Sequence, residues 1–240
     1  MNGIVYIAKF LQRFFPNLVN SKMKIALLKK QGVSVGEGTY IFDAGSVKID
    51  SSRPALISIG SFCKITGGTI ILTHDYSRSV LRRVYGDVVG EARKTVIGNN
   101  VFIGMNTIVL MGTYIGNNTI VGAGSVCHGS YPDNSVIAGN PAKVICSLDE
   151  YYEKRKEKSQ KEAIDYAILY KQKFGEYPSI KMMGAFFPLY LERSREALES
   201  NGIRTALSGD VQEEVIEKFL YSTPLYKDYD EFLKKAREYE

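Results

Sequence analysis

From Ile97 the chain runs IGNNVF, IGMNTI, VLMGTY, IGNNTI, VGAGSV: five hexads in succession, each opening on Ile or Val. Gly follows in four of the five, and the fifth position admits only Val, Thr or Ser. This period excludes most folds at once. Apolar residues at every sixth position match neither the 3.6-residue repeat of a helix nor the alternation of a half-buried strand. They fit short strands joined by tight turns, with the first-position aliphatics stacked inward, one coil above the next. Gly98, Asn99, Asn117 and Asn118 fall at the turns, and these residue types tolerate left-handed backbone. Three hexads close a triangular coil, and coils stack at about the 4.8 Å spacing of paired strands. The same grammar appears upstream in VGEGTY (35–40), ISIGSFCK (57–64) and ITGGTI (65–70).

These hexads resemble those of the hexapeptide-repeat acyltransferases, whose fold is a left-handed parallel β-helix. Handedness comes from the resemblance alone, since the usual crossover rule is right-handed. The stretches GAGSV (122–126) and PDNSVIAGNPAKVI (132–145) resemble the closing coils of galactoside, maltose and polysaccharide O-acetyltransferases. The resemblance runs from about Gly32 to Ile145. It implies a mainly β chain in three parts: an N-terminal helical cap (1–31), a β-helix acyltransferase domain (32–146) and an α-helical C-terminal region (147–240).

After Ile71 the hexads lapse until Ile97. The intervening loop, 74–96, is long for a turn, and long loops in compact domains are usually functional. In the resembled family such a loop reaches a neighbouring subunit and carries the catalytic histidine. His74, in ILTHDYSRSV, is the only histidine here. Moving an acetyl group from a thioester to a hydroxyl requires a base for the hydroxyl proton, and imidazole, ordinarily near pKa 6.5, is suited to it. Thiolate leaves readily, so no covalent enzyme intermediate is required. Asp75 reads as an orienter of the imidazole, an acceptor ligand or a turn residue. Arg78, Arg82 and Arg83 read either as ligands for an anionic acceptor or as a solvated loop face.

The resemblance also implies where acetyl-CoA lies. Phe102 and Gly104 would stand beside the pantetheine groove, and the Met105 amide would serve as a single oxyanion donor. Ala123 and Ser125 would line the arm further along, with Lys143 at the CoA phosphates. His128-Gly129 stands where relatives often carry a Thr-Lys pair, so one expected phosphate contact is missing; His128 reads as a partial replacement or as a rim residue. The buried-type positions of Cys63 and Cys127 point to core packing and not to nucleophilic catalysis. The same fold builds zinc sites from three histidines, but this chain has two, so no metal is expected.

Composition narrows the rest. Hydrophobic residues make up 45% and charged residues 24%, which excludes a disordered chain. A net charge of +5 suits anionic ligands without implying nucleic acid. Three cysteines without CxxC spacing suit a reduced, cytoplasmic setting better than a disulfide framework. Between residues 1 and 36 there are six basic residues (Lys9, Arg13, Lys22, Lys24, Lys29, Lys30) and no acid. This segment reads as a helical cap on the β domain, with an interfacial helix against anionic lipid at the inner face of the membrane as the alternative.

Beyond Ser147 the grammar becomes helical. SLDE (147–150) is a capping box that opens a helix to about Phe174, DVQE (210–213) repeats it for a helix through Tyr221, and 228–240 reads as a terminal helix. Ten of the sixteen tyrosines fall in this region, suited either to stacking on sugars or to a packed helical core.

The expected function is therefore acetyl-CoA-dependent O-acetylation of a carbohydrate acceptor in capsule, O-antigen or related glycan assembly, with His74 as base. The acceptor would be a sugar nucleotide, a lipid-linked glycan or another carbohydrate. The resemblance further implies a homotrimer with active sites between subunits. The alternatives are N-acylation of an amino-sugar nucleotide and a non-catalytic β-helix scaffold.

Overall fold

The computed structural model describes residues 2–206 and 208–240; the side chain of Arg13 lies outside the described residues. The chain divides into two compact units, Met1–Tyr151 and Tyr152–Glu240. The first contains two helices, α1 (Asn2–Phe14) and α2 (Ser21–Gln31), followed by strands that recur in threes. The first coil holds β1 (Ser34–Val35), β2 (Tyr40–Ile41) and β3 (Lys48–Ile49). The second holds β4 (Ile57–Ile59), β5 (Lys64–Ile65) and β6 (Ile70–Ile71), after which the chain leaves the stack and forms α3 (Arg78–Tyr85). The third holds β7 (Thr95–Ile97), β8 (Phe102–Ile103) and β9 (Ile108–Val109), and the fourth β10 (Tyr114–Ile115), β11 (Ile120–Val121) and β12 (Val126–Cys127). The stack ends with β13 (Ser130–Tyr131), β14 (Ser135–Gly139) and β15 (Ala142–Ser147).

Among the described residues these strands form three sheets, ordered β1-β4-β7-β10-β13, β2-β5-β8-β11-β14-β15 and β3-β6-β9-β12. The chain visits the three sheets in rotation, and each strand pairs in parallel with the one a full coil away; only β15 folds back antiparallel on β14. The register superposes first-position residues: Ile41, Ile65, Ile103, Val121 and Ile137 form one inward column. All five first positions of the regular hexads, 97 to 121, are essentially without exposure. The fifth positions are equally buried, although three are Thr and one Ser. Their hydroxyls do not go unmet: Thr107, Thr113 and Ser125 each donate to the carbonyl three residues back, at 2.7, 2.7 and 2.5 Å. A small hydroxyl residue there satisfies a turn carbonyl that an apolar residue would leave without that donor.

Ile103 sits mid-column between Ile65 and Val121 and is fully buried. Ile103→Ala should lower unfolding free energy by about 2–5 kcal/mol, read from denaturant titration, because the coil backbone is too constrained to collapse into the cavity.

The N-terminal helices pack as a pair. Asn20 caps α2 by accepting from the Met23 amide, and Gly32 ends it in the left-handed region at φ 98°. Val5 of α1 and Leu27 of α2 are buried together, while Leu28 joins the β core.

The second unit is helical. Ser147 and Glu150 exchange hydrogen bonds in the expected capping box, and α4 (Leu148–Phe174) ends before Gly175 at φ 82°. Further helices are α5 (Arg195–Ser200), α6 (Gln212–Leu220) and α7 (Tyr229–Arg237), the last capped by Asp228. The cap expected at Asp210 is a correction: Val211, in extended backbone, precedes α6 and supplies no side-chain bond. Tyr190, Tyr226 and Phe232 are buried with Ala163, Ile164 and Ala167. The rings of Tyr190 and Tyr229 lie 4.7 Å apart, so several of the tyrosines build a core rather than an exposed stacking surface.

Candidate active site

The break after β6 brings a histidine and an aspartate from adjacent coils into contact. The segment leaving at Leu72 returns at Lys94 without disturbing the coils. Arg93 donates its amide to the Thr73 carbonyl, and the Thr95 hydroxyl donates to the Leu72 carbonyl, so the base of the loop is tied shut. The loop itself is exposed from Val80 to Lys94, and α3 buries no residue.

His74 stands at the foot of this loop. Its Nδ1 lies 2.6 Å from Oδ2 of Asp50, with the imidazole side chain a quarter exposed and the carboxylate nearly buried. Asp50 follows β3 and lies one coil away, because Ile49 is in register with Ile71 and the Asp50 amide donates to the Ile71 carbonyl. The carboxylate is otherwise fully engaged. Oδ2 also accepts from the Thr73 hydroxyl at 2.5 Å and amide at 3.3 Å, and Oδ1 accepts from the Ser52 hydroxyl and amide at 2.7 and 3.2 Å. Burial by itself would raise its pKa, but the hydrogen bonds from Ser52, Thr73 and His74 outweigh it and hold the carboxyl well below the usual range. An ionised carboxylate can only accept. Nδ1 must therefore carry a proton, and in the neutral ring Nε2 is then the lone-pair nitrogen.

No sequence pattern singles out Asp50, whereas Asp75 adjoins His74 and fits an orienter, an acceptor ligand or a turn residue. Asp75 is instead fully exposed and holds the turn into α3, its Oδ1 accepting from the Ser77 hydroxyl and amide at 2.6 and 2.9 Å. Arg78 donates to the Asp75 carbonyl and lies over the Tyr76 ring at 4.9 Å, while Arg82 and Arg83 stand exposed on the same helix.

The residues expected beside the cofactor gather at another corner. Phe102 is in β8, and Gly104 and Met105 make the turn from β8 to β9. Ala123 occupies the same turn one coil on, its neighbour Gly124 donating its amide to the Met105 carbonyl. A Cβ at residue 104 would stand 2.5 Å from the Ala123 amide nitrogen, so only glycine allows the coils to stack there. The turns from the first sheet to the second differ. There the amides of Ser61, Asn99 and Asn117 are each taken by the next coil's side chain, Asn99, Asn117 and Asp133 respectively. At the Gly104 turn no such ladder exists among the described residues, and the amide of Met105, an exposed residue, carries no hydrogen bond among them.

Two expected groove residues have other tasks or places. Ser125 is fully buried; its hydroxyl donates to the Gly122 carbonyl and accepts from the Gly139 amide, so its side chain faces the coil interior. The exposed His128 gives its amide to the Tyr131 hydroxyl, which in turn donates to the Ala142 carbonyl. Lys143 is exposed on β15. Cys63 and Cys127 are fully buried, and burial pushes both thiols up, Cys127 to about 11, away from nucleophilic use.

Within one chain, then, His74 follows β6 of one sheet and Met105 follows β8 of another, at different corners of the three-sided coil.

Comparison with known proteins agrees with the repeat. The family model for bacterial transferase hexapeptide (six repeats) matches residues 94–129. Protein CapG of Staphylococcus aureus is 39% identical over 145 residues, which is 59% of this chain and 81% of that relative. The putative acetyltransferase YvoF of Bacillus subtilis (strain 168) is 34% identical over 46% of this chain and 59% of its own length. The putative lipopolysaccharide biosynthesis O-acetyl transferase WbbJ of Escherichia coli (strain K12) is 56% identical over a shorter stretch, 23% of this chain and 28% of the relative.

Proposed function

This chain belongs to the hexapeptide-repeat acetyltransferases, and on that premise we propose that it moves an acetyl group from acetyl-CoA to a carbohydrate hydroxyl, with His74 as general base. The coil is then the left-handed β-helix of the resembled enzymes, and the three parts 1–31, 32–146 and 147–240 serve as cap, catalytic domain and helical appendage. The observation that carries the reading is the Asp50–His74 contact, which leaves Nε2 as a proton acceptor at the foot of an exposed loop.

The step balances without a covalent enzyme species. Nε2 removes the hydroxyl proton as the acceptor oxygen bonds to the thioester carbonyl carbon. Charge collects on the carbonyl oxygen, where the unpaired Met105 amide is the donor. The tetrahedral intermediate collapses with cleavage of the C–S bond, and the proton held on Nε2 passes to the departing thiolate. Asp50 keeps the imidazole in the required tautomer and stabilises the imidazolium between the two transfers.

Because the imidazole and the amide stand at different corners of the stack, in successive coils, a complete centre takes them from two subunits. A homotrimer with three sites between subunits satisfies this. In that assembly Phe102, Gly104 and Ala123 border the pantetheine, Lys143 and His128 approach the CoA phosphates, and Arg78, Arg82 and Arg83 face an anionic acceptor. Ser125 supports the groove from within the coil. The lipopolysaccharide O-acetyl transferase among the relatives favours oxygen over nitrogen as the attacking atom and a glycan as acceptor.

The test is thiol release from acetyl-CoA in the presence of carbohydrates carrying both hydroxyl and amino groups, with the acetylated atom located by mass spectrometry. Oxygen acetylation is the expected result, and acetylation on nitrogen alone would overturn the choice of acceptor atom. Calorimetric titration with CoA should give saturable heat; its absence would favour a scaffold over an enzyme.

A further inference from the structure

The N-terminal helix α1 has two apolar faces, and the fold uses one. Val5 is buried against Leu27, and Leu11 packs on the β core. The other face carries Tyr6, Ile7, Phe10 and Phe14 at helical spacing and continues into Phe15 and Leu18. Every one of these six is more than half exposed. The rings of Phe14 and Phe15 lie 5.1 and 6.3 Å from that of Phe10, so the patch is a cluster rather than scattered side chains. An exposed aromatic cluster of this kind marks an interaction surface.

Charge identifies what meets it. The first acidic residue of the chain is Glu37, and six basic residues precede it. Lys24 is buried, but Lys9, Lys22, Lys29 and Lys30 are exposed and make no ion pair among the described residues. Lys30 lies 5.1 Å over the Tyr6 ring, which joins the cations to the aromatic face. Beside them is a pocket of about 800 Å³ whose lining includes the apolar Ile4, Val5 and Ile25 together with Lys22, Lys29 and Lys30. An apolar lining with exposed lysines among its residues suits an amphiphile with an anionic head. A second copy of the same face suits the site poorly, since it would bring two sets of lysines together with no carboxylate between them.

We propose that α1 and α2 form a docking site for an anionic phospholipid bilayer. The aromatic face enters the headgroup–acyl boundary, the lysines meet lipid phosphates, and an acyl chain enters the pocket. The mode is interfacial, for no helix among the described residues is long and apolar enough to cross a membrane. This inference stands apart from acetyl transfer, and its readout is vesicle binding.

The experiment is flotation of the full chain with vesicles of phosphatidylcholine, alone or mixed with phosphatidylglycerol. We expect retention on the mixed vesicles only, weakened as added salt shortens the screening length. The combined change Lys22→Ala, Lys29→Ala and Lys30→Ala should lower partitioning on the order of a hundredfold, at about fivefold for each charge. Phe10→Ser with Phe14→Ser should also abolish retention while leaving the melting temperature unchanged, since both rings are exposed. Equal retention on neutral vesicles, no retention on either, or wild-type retention by both variants would overturn the proposal. So would a fall in oligomer mass on size exclusion in the phenylalanine variant, which would assign the face to a second copy.

Discussion

His74→Ala should reduce acetyl transfer by about 10²–10⁴-fold in kcat, the usual contribution of a positioned general base, while the KM for acetyl-CoA stays near that of the wild type. The separation of the two constants is the informative part. His74 stands at one corner of the coil and the free Met105 amide at another, so removing the imidazole leaves the donor's surface untouched. The fold should also survive. Asp50 loses one of its five hydrogen bonds, and Ser52 and Thr73 continue to satisfy both carboxylate oxygens. Coil packing depends on the inward columns, to which His74 contributes nothing. The measurement is steady-state thiol release with wild type and variant in parallel, with melting curves as the check on folding. Turnover within a few-fold of wild type would remove His74 from the mechanism.

What the sequence revealed and what it concealed follow from one property of the coil. Each hexad must place one aliphatic side chain inward and turn within the next few residues, so residues 97–126 are constrained locally and their pattern is visible by inspection. Burial at positions 97, 103, 109, 115 and 121 follows directly from it. Asp50 belongs to the other kind of information. It precedes His74 by 24 residues and meets it only because one coil lies on the next. The register of Ile49 with Ile71 was the available signal, but 22 residues separate that pair, against the 18 between Ile97 and Ile115 in the regular coils. The irregular first two coils hid the alignment, and the adjacent Asp75, which bonds Ser77, lay nearer in sequence. Helix α3 is a different case. It buries nothing in its own chain, although Val80, Leu81, Val84 and Tyr85 recur at helical spacing, and that short apolar stripe was the signal for it. At α6 the Asp210–Glu213 spacing fitted a capping box, yet the chain is extended at Val211 and the helix begins one residue later. Cap patterns specify a helix start to within a residue or two, and here the backbone decided between neighbours.

Asp50→Asn should retain shape and lose most of the activity. Asparagine can turn its carbonyl toward Nδ1 or its amide toward Nδ1, but it no longer imposes the first choice, and it carries no charge to stabilise an imidazolium. Where a buried aspartate serves a histidine base in this way, the amide variant loses about 10⁴-fold in kcat, mainly through the wrong tautomer. Here the loss should lie between that figure and the roughly 10²-fold floor expected for His74→Ala, because Thr73 and Ser52 compete for the new amide's acceptor oxygen. A structural role alone would lower stability without changing the pH–rate profile. A positioning role should instead move the alkaline plateau of kcat. Stability supplies the second readout. The folded-state carboxyl is held below its ordinary value, so it stabilises the native chain above the unfolded pKa of about 3.9, and that contribution fades as pH falls below it. The stability gap between wild type and Asp50→Asn should therefore be full near neutrality and close in acid. A gap independent of pH would mean that the carboxylate acts by shape alone, and the dyad would then be an accident of coil stacking.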